Sequence, residues 1–165
     1  MRIIKLGLIS LIAFAFLLTG ISLFFPSHVR ISKAIDIRAE RDSVMSLLGD
    51  VRNWKKWYPG ADTSEYFVEK GRIIGIKTGD QKGLIITATT DSSVMAANTG
   101  TGSKEGESGW NVFSGSVPAT ITVQWYMDIH LHWYPWEKFS GLLLEKRYGP
   151  VMEQGLDRLK NTLEK

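Results

Sequence analysis

Asp128, His130 and His132 stand at alternate positions near the end of a long apolar segment. On an extended strand such positions share a face with side chains about 7 Å apart, a spacing that suits two metal ligands. The one further histidine is His28, far away in sequence. The chain has no cysteine, which excludes thiolate metal sites, disulfides and cysteine nucleophiles. The trio is therefore read as a solvated outer strand face, and no metal or other cofactor is expected.

Other catalytic patterns fail on spacing. Serine hydrolysis needs a nucleophile elbow, and neither Gly115-Ser116 nor Phe113-Ser114-Gly115 supplies one. The glycines between Gly100 and Gly106 lack the GK[ST] ending of a phosphate loop, and no helix is expected after them, so a hairpin loop is the reading there. Glu65, Tyr66 and Asp80 are candidate acid–base groups with no positional support. No catalytic residue is assigned.

Aromatic residues are the stronger signal. Trp110, Trp125, Trp133, Tyr134, Trp136 and Phe139 gather around the last strands and the start of a C-terminal helical region. Each alone is ordinary core material, but as a group they suit the wall of an apolar cavity. The run His132-Trp133-Tyr134-Pro135-Trp136 also suits a membrane interface, where Trp and Tyr are favoured.

The elements that must position these residues follow from periodicity. Val29, Ile31, Ile35 and Ile37 predict a first strand. Val44, Leu47 and Leu48 predict a helix over 41–48, ended by Gly49. Asp50 then caps a second short helix carrying Val51, Trp54 and Trp57, closed by Pro59-Gly60. Strands are expected over 65–69, 72–78, 83–90, 94–99 and 109–114. The last strand, 121–131, is apolar at every odd position and wetter at the even ones. Met152, Leu156, Leu159 and Leu163 form a helical stripe, with Tyr148-Gly149-Pro150 expected to break or kink the region before it.

Leu6 to Phe25 carries no charge, and as a helix it would be about 30 Å long, the thickness of a bilayer core. Its exit, Ser22-Leu23-Phe24-Phe25-Pro26, has bulky rings where a signal-peptidase site needs small residues. Residues 1–25 are thus expected to be a retained membrane anchor, and residues 26–165 a single domain held close to the membrane. The short basic tail of Arg2 and Lys5 favours a cytoplasmic N-terminus and a domain on the extracytoplasmic side. Those two are the only charged residues before the domain, so the domain itself is nearly neutral despite the net charge of +3. Neither nucleic acid nor a polybasic lipid patch is indicated.

Specific residues resemble a known family. Val44, Leu47, Leu48, Asp50, Trp54 and Trp57 match a short helix followed by D-x-x-x-W-x-x-W. Thr122-Val123-Gln124-Trp125 leads into Gly149-Pro150, Glu153, Gly155-Leu156 and Leu159-Lys160, which resembles a "GP…E-x-GL-x-x-LK" ending. Pro26-Ser27-His28-Val29 resembles the exit from an anchor helix. Together these resemble membrane-anchored bacterial members of the START-like superfamily, also called SRPBCC or polyketide cyclase-like. The resemblance implies an α+β helix-grip fold, in which an antiparallel sheet of about seven strands wraps a long C-terminal helix. It also implies a cavity between sheet and helix that binds a hydrophobic small molecule or lipid, with Trp57, Trp110, Trp125, Met127, Phe139 and Leu143 as candidate ligand contacts. The alternatives are a cyclase, dehydratase or hydrolase using the same cavity, or an interaction module whose aromatics fill it.

Overall fold

The computed structural model describes residues 2–79, 82–99, 106–115 and 117–165; Asp80, most of the glycine-rich loop and Ser116 lie outside them. The chain opens with α1 (Arg2–Ser22), whose apolar side chains are exposed from Ile3 through Leu17, and then enters β1 (His28–Ile37). Two short helices follow, α2 (Arg41–Gly49) and α3 (Val51–Trp57). Next come β2 (Tyr66–Glu69), β3 (Arg72–Gly79), β4 (Lys82–Thr89), β5 (Ser93–Thr99), β6 (Gly106–Ser114) and β7 (Ile121–His130). The chain ends with α4 (Pro135–Gly141) and α5 (Leu144–Leu163).

The strands form one antiparallel sheet in the order β1-β7-β6-β5-β4-β3-β2. Such a sheet needs one face covered, and α5 supplies the cover over β1, with α2 and α3 beside it. Met152, Leu156 and Leu159 of the expected stripe are fully buried. The helix-grip architecture is the one expected.

Local chemistry explains the helix pair that packs on the sheet beside α5. The Asp50 carboxylate accepts the Arg52 backbone N–H at 2.9 Å and so caps α3. Three residues apart, Trp54 and Trp57 both turn inward. Their indole N–H groups donate to the carbonyls of Leu48 (2.7 Å) and Leu47 (3.1 Å), which α2 leaves open at its C-terminal end. Burying such a ring is worth roughly 4–6 kcal/mol of transfer free energy before entropy is charged.

Three expectations need correction. First, α5 runs through Pro150, and the break falls earlier, at Leu142-Leu143. The proline removes the donor for the Lys146 carbonyl, but both residues are exposed, so water can replace it. Second, the even face of β7 is not uniformly wet, because Tyr126 and Asp128 are buried. The Arg30 guanidinium lies 4.8 Å above the Tyr126 ring, and the ring in turn covers Gly109, where a Cβ would fall 2.3 Å from it. Third, the aromatics do not form one group. Trp110 and Trp125 are buried with Trp54 and Trp57, whereas Trp133 and Trp136 are exposed near α4.

Candidate functional site

The inner face of β7 and the facing side of α5 diverge toward the start of α5, and a cavity of about 950 Å³ opens between them. That is near the upper end of the range for small-molecule sites. Its buried wall includes Trp125, Ile129, Leu144 and Met152. Met127 lies between Trp125 and Ile129 on the same strand face, and Tyr58 closes the inner end. At the mouth stand the exposed residues Leu143, Lys146, Arg147, Val151 and Glu107.

Sheet register sets this wall. Val29, Ile31 and Lys33 of β1 pair with Ile129, Met127 and Trp125 of β7, so all six belong to one face. Lys33 would be out of place on it without partners. Its ammonium meets Glu153 at 3.0 Å and Glu145 at 3.3 Å on α5, and these hydrogen bonds, Glu153's foremost, hold its pKa above the ordinary lysine value. The charged pairs thereby fasten α5 to the sheet beside the cavity.

The inner end is an aromatic box with unspent donors. Trp125 packs against Tyr58 (ring centroids 5.3 Å), Trp110 (5.5 Å) and Trp57 (6.2 Å). Unlike those of Trp54 and Trp57, the indole nitrogens of Trp110 and Trp125 are buried with no hydrogen-bond partner among the described residues. So is the Ser108 hydroxyl. Such orphan donors are uncommon in protein interiors. Burial pushes the Tyr58 phenol up to about 12, so at neutral pH it is a neutral donor.

Of the six candidate contacts, Trp125, Met127 and Leu143 line the cavity. Trp110 and Trp57 stand behind Trp125. Phe139 turns the other way, edge-on to Phe25 at 5.4 Å. Tyr58, Met152 and Arg147 also line the cavity; Met152 belongs to the stripe that periodicity predicts, whereas Tyr58 and Arg147 carry no periodic signal. Tyr58 directly follows the last tryptophan of D-x-x-x-W-x-x-W.

The Asp128, His130 and His132 trio is divided. Asp128 contributes to the cavity rim beside its register partner Glu107, but Arg30 binds its carboxylate through two hydrogen bonds and His28 approaches to 3.4 Å. The Arg30 hydrogen bond is the main reason its carboxyl is held below the usual carboxylate range. His132 is beyond the end of β7 and meets Glu137 at 3.0 Å. Among the described residues no group of three or more histidine, aspartate or glutamate side chains is placed to hold a metal. Of the acid–base candidates, Glu65 is exposed and paired with Lys77, and Tyr66 lies under the Lys55 ammonium.

Comparisons with known proteins agree with this geometry. The family model described as polyketide cyclase / dehydrase and lipid transport matches residues 28–164. No curated protein matches the chain in sequence. A START superfamily protein from Mycobacterium smegmatis superposes with a TM-score of 0.61 at 14% identity, over 82% of this chain and 97% of that one. The Zhui aromatase/cyclase from Streptomyces sp. R1128 gives 0.58 at 14% identity, over 83% and 94%. XoxI from Bacillus cereus gives 0.60 at 15% identity, over 82% and 95%. With the family model spanning β1 to the end of α5, the chain belongs to the polyketide cyclase / dehydrase and lipid transport family, and it shares the fold of the START superfamily protein over nearly that protein's whole length.

Proposed function

We propose that this chain is a membrane-anchored binder of a hydrophobic small molecule or lipid, held between the sheet and α5. The observation that carries the proposal is the open cavity of about 950 Å³ where a filled-core module would have side chains. Binding works by burial. Apolar ligand surface leaving water gains about 25 cal/mol per Å². A ligand drawn from a bilayer gains far less, so polar contacts and shape must set selectivity. The Tyr58 hydroxyl at the inner end favours a ligand carrying an acceptor oxygen, such as a carbonyl.

The anchor half of the proposal rests on α1. Its span Ile3–Ser22 has a mean hydropathy of 2.2, and its apolar side chains from Ile3 through Leu17 are exposed, with Ser22 at its end enclosed. With the basic tail before it, the proposed arrangement leaves the domain on the extracytoplasmic side.

Tyr58 also favours a second reading, because an ionisable group lining the cavity is what a cyclase or dehydratase needs. With its phenol pushed up to about 12 it would steady a developing oxyanion as a donor, not take a proton. Titration of the full chain in detergent with a dansyl-labelled fatty acid tests the binding proposal. Saturable enhancement of dansyl emission, sensitized by the Trp125 neighbourhood, supports it; emission no different from that in empty micelles contradicts it.

A further inference from the structure

The end of α1 is fastened to the domain at one place. Lys138 of α4 is 4% exposed, an unusual setting for a lysine. Its ammonium donates to the Phe25 carbonyl at 3.1 Å and to the Ser27 hydroxyl at 2.5 Å. Phe139 packs edge-on against Phe25, and the Leu131 N–H donates to the Ser27 carbonyl at 2.7 Å. α4 therefore sits beside the point where the apolar helix ends.

That same end of the domain is apolar where it faces outward. Trp133 is 62% exposed and Trp136 67%, with Trp136 stacked on Tyr134 and Trp133 tilted against it, and Leu142 and Leu143 are each 63% exposed. Leu23 and Phe24, just past the end of α1, are exposed as well, next in sequence to the Phe25 that packs on α4. In the next turn Lys146 and Arg147 are exposed and have no salt-bridge partner among the described residues. Rings and aliphatics bordered by cations are the composition of a surface that settles at the headgroup boundary of a bilayer. The cavity opens at this end too. Leu143, Lys146 and Arg147 line its mouth, and Ile129 in its wall is one position from His130, the register partner of His28.

From this placement we infer that α4 and the α4–α5 turn dock onto the bilayer that α1 enters, so that the cavity mouth at Leu143 opens onto the lipid and not onto bulk water. The occupant of the exposed face is a phospholipid surface with anionic headgroups at Lys146 and Arg147. The inference rests on the membrane-anchor proposal, and the apolar helix emerging beside the patch is what selects lipid over a partner protein.

The tryptophans make the test direct, because all six lie outside α1. The full chain is reconstituted into phosphatidylcholine–phosphatidylglycerol vesicles with or without bromine on the acyl chains, a short-range quencher of tryptophan. Brominated lipid is expected to quench part of the emission, and Trp133→Phe/Trp136→Phe is expected to remove that quenching while the protein still floats with the vesicles. Leu143→Trp in this background is expected to restore it, which places the mouth at the lipid. Flotation without quenching of the wild type, or no quenching of the Leu143→Trp reporter, overturns the inference and leaves the anchor proposal standing. Failure to float overturns both.

Discussion

Gly155 of α5 lies directly against Trp125 of β7: a Cβ at Gly155 would stand 2.7 Å from Trp125 Cζ3 and 2.9 Å from Pro59 Cδ. Any side chain there must displace either the ring that walls the cavity or the turn after α3. Gly155→Ala is therefore expected to lower stability by about 1–3 kcal/mol despite alanine's better helix propensity. Thermal unfolding in detergent, followed by near-UV circular dichroism, measures it. An unchanged or raised midpoint would mean that α5 does not approach the sheet this closely.

Trp125 lines the cavity, which remains open beside it. Trp125→Ala is expected to weaken binding of the dansyl fatty acid, through lost contact area, and to cost about 3–5 kcal/mol of stability. Tighter binding by the variant would make the ring a plug.

The Arg30–Asp128 pair gives a pH dependence of definite sign. The Asp128 carboxyl is held below its ordinary value of 3.8, chiefly by the Arg30 hydrogen bond. A depressed carboxylate stabilises the fold above its unfolded pKa and loses that contribution as pH falls through the folded one. Arg30→Gln should thus lower the melting midpoint at pH 7. The gap from wild type should narrow below about pH 4 and close once Asp128 is protonated in both. A gap that stays constant into acid would contradict the pairing.

Lys138→Ala removes both bonds to the tether. It is expected to speed hydrogen exchange at the Leu131 amide, whose acceptor is the Ser27 carbonyl, and to leave exchange in α5 unchanged. Equal protection at Leu131 in both proteins would show that the tether is held by other contacts.

Leu156→Asp probes the fold itself. Leu156 is 2% exposed within the stripe that α5 lays on the sheet. An unpaired carboxylate there should prevent cooperative unfolding from being seen at all. A melt within a degree of wild type would place α5 elsewhere.

How much of this was legible in the sequence depends on the residue. The alternation of Ile121 to Leu131 and the stripe Met152, Leu156, Leu159 are period signals, and both were realised because each element has one face to bury. Asp50 as a helix cap is local chemistry and was legible for that reason. The partition of tryptophans was not. Trp110 and Trp136 look alike in composition, yet one faces Trp125 across the β6–β7 register and the other lies outside the sheet's cover. Only pairing between distant segments decides that. The continuity of α5 through Pro150 was hidden similarly, since its cost depends on whether the Lys146 carbonyl reaches water. Tyr58 entered the cavity because the turn after α3 aims it there, a detail no periodicity encodes.

The central claim is that the space between β7 and α5 holds a hydrophobic ligand. Native mass spectrometry of the full chain, extracted from the membranes in which it is made, tests this most directly. The account predicts a bound species of lipid or small-molecule mass that survives detergent removal and is depleted in Trp125→Ala. Bare protein mass for the wild type, together with no saturable uptake of the dansyl fatty acid, would contradict it.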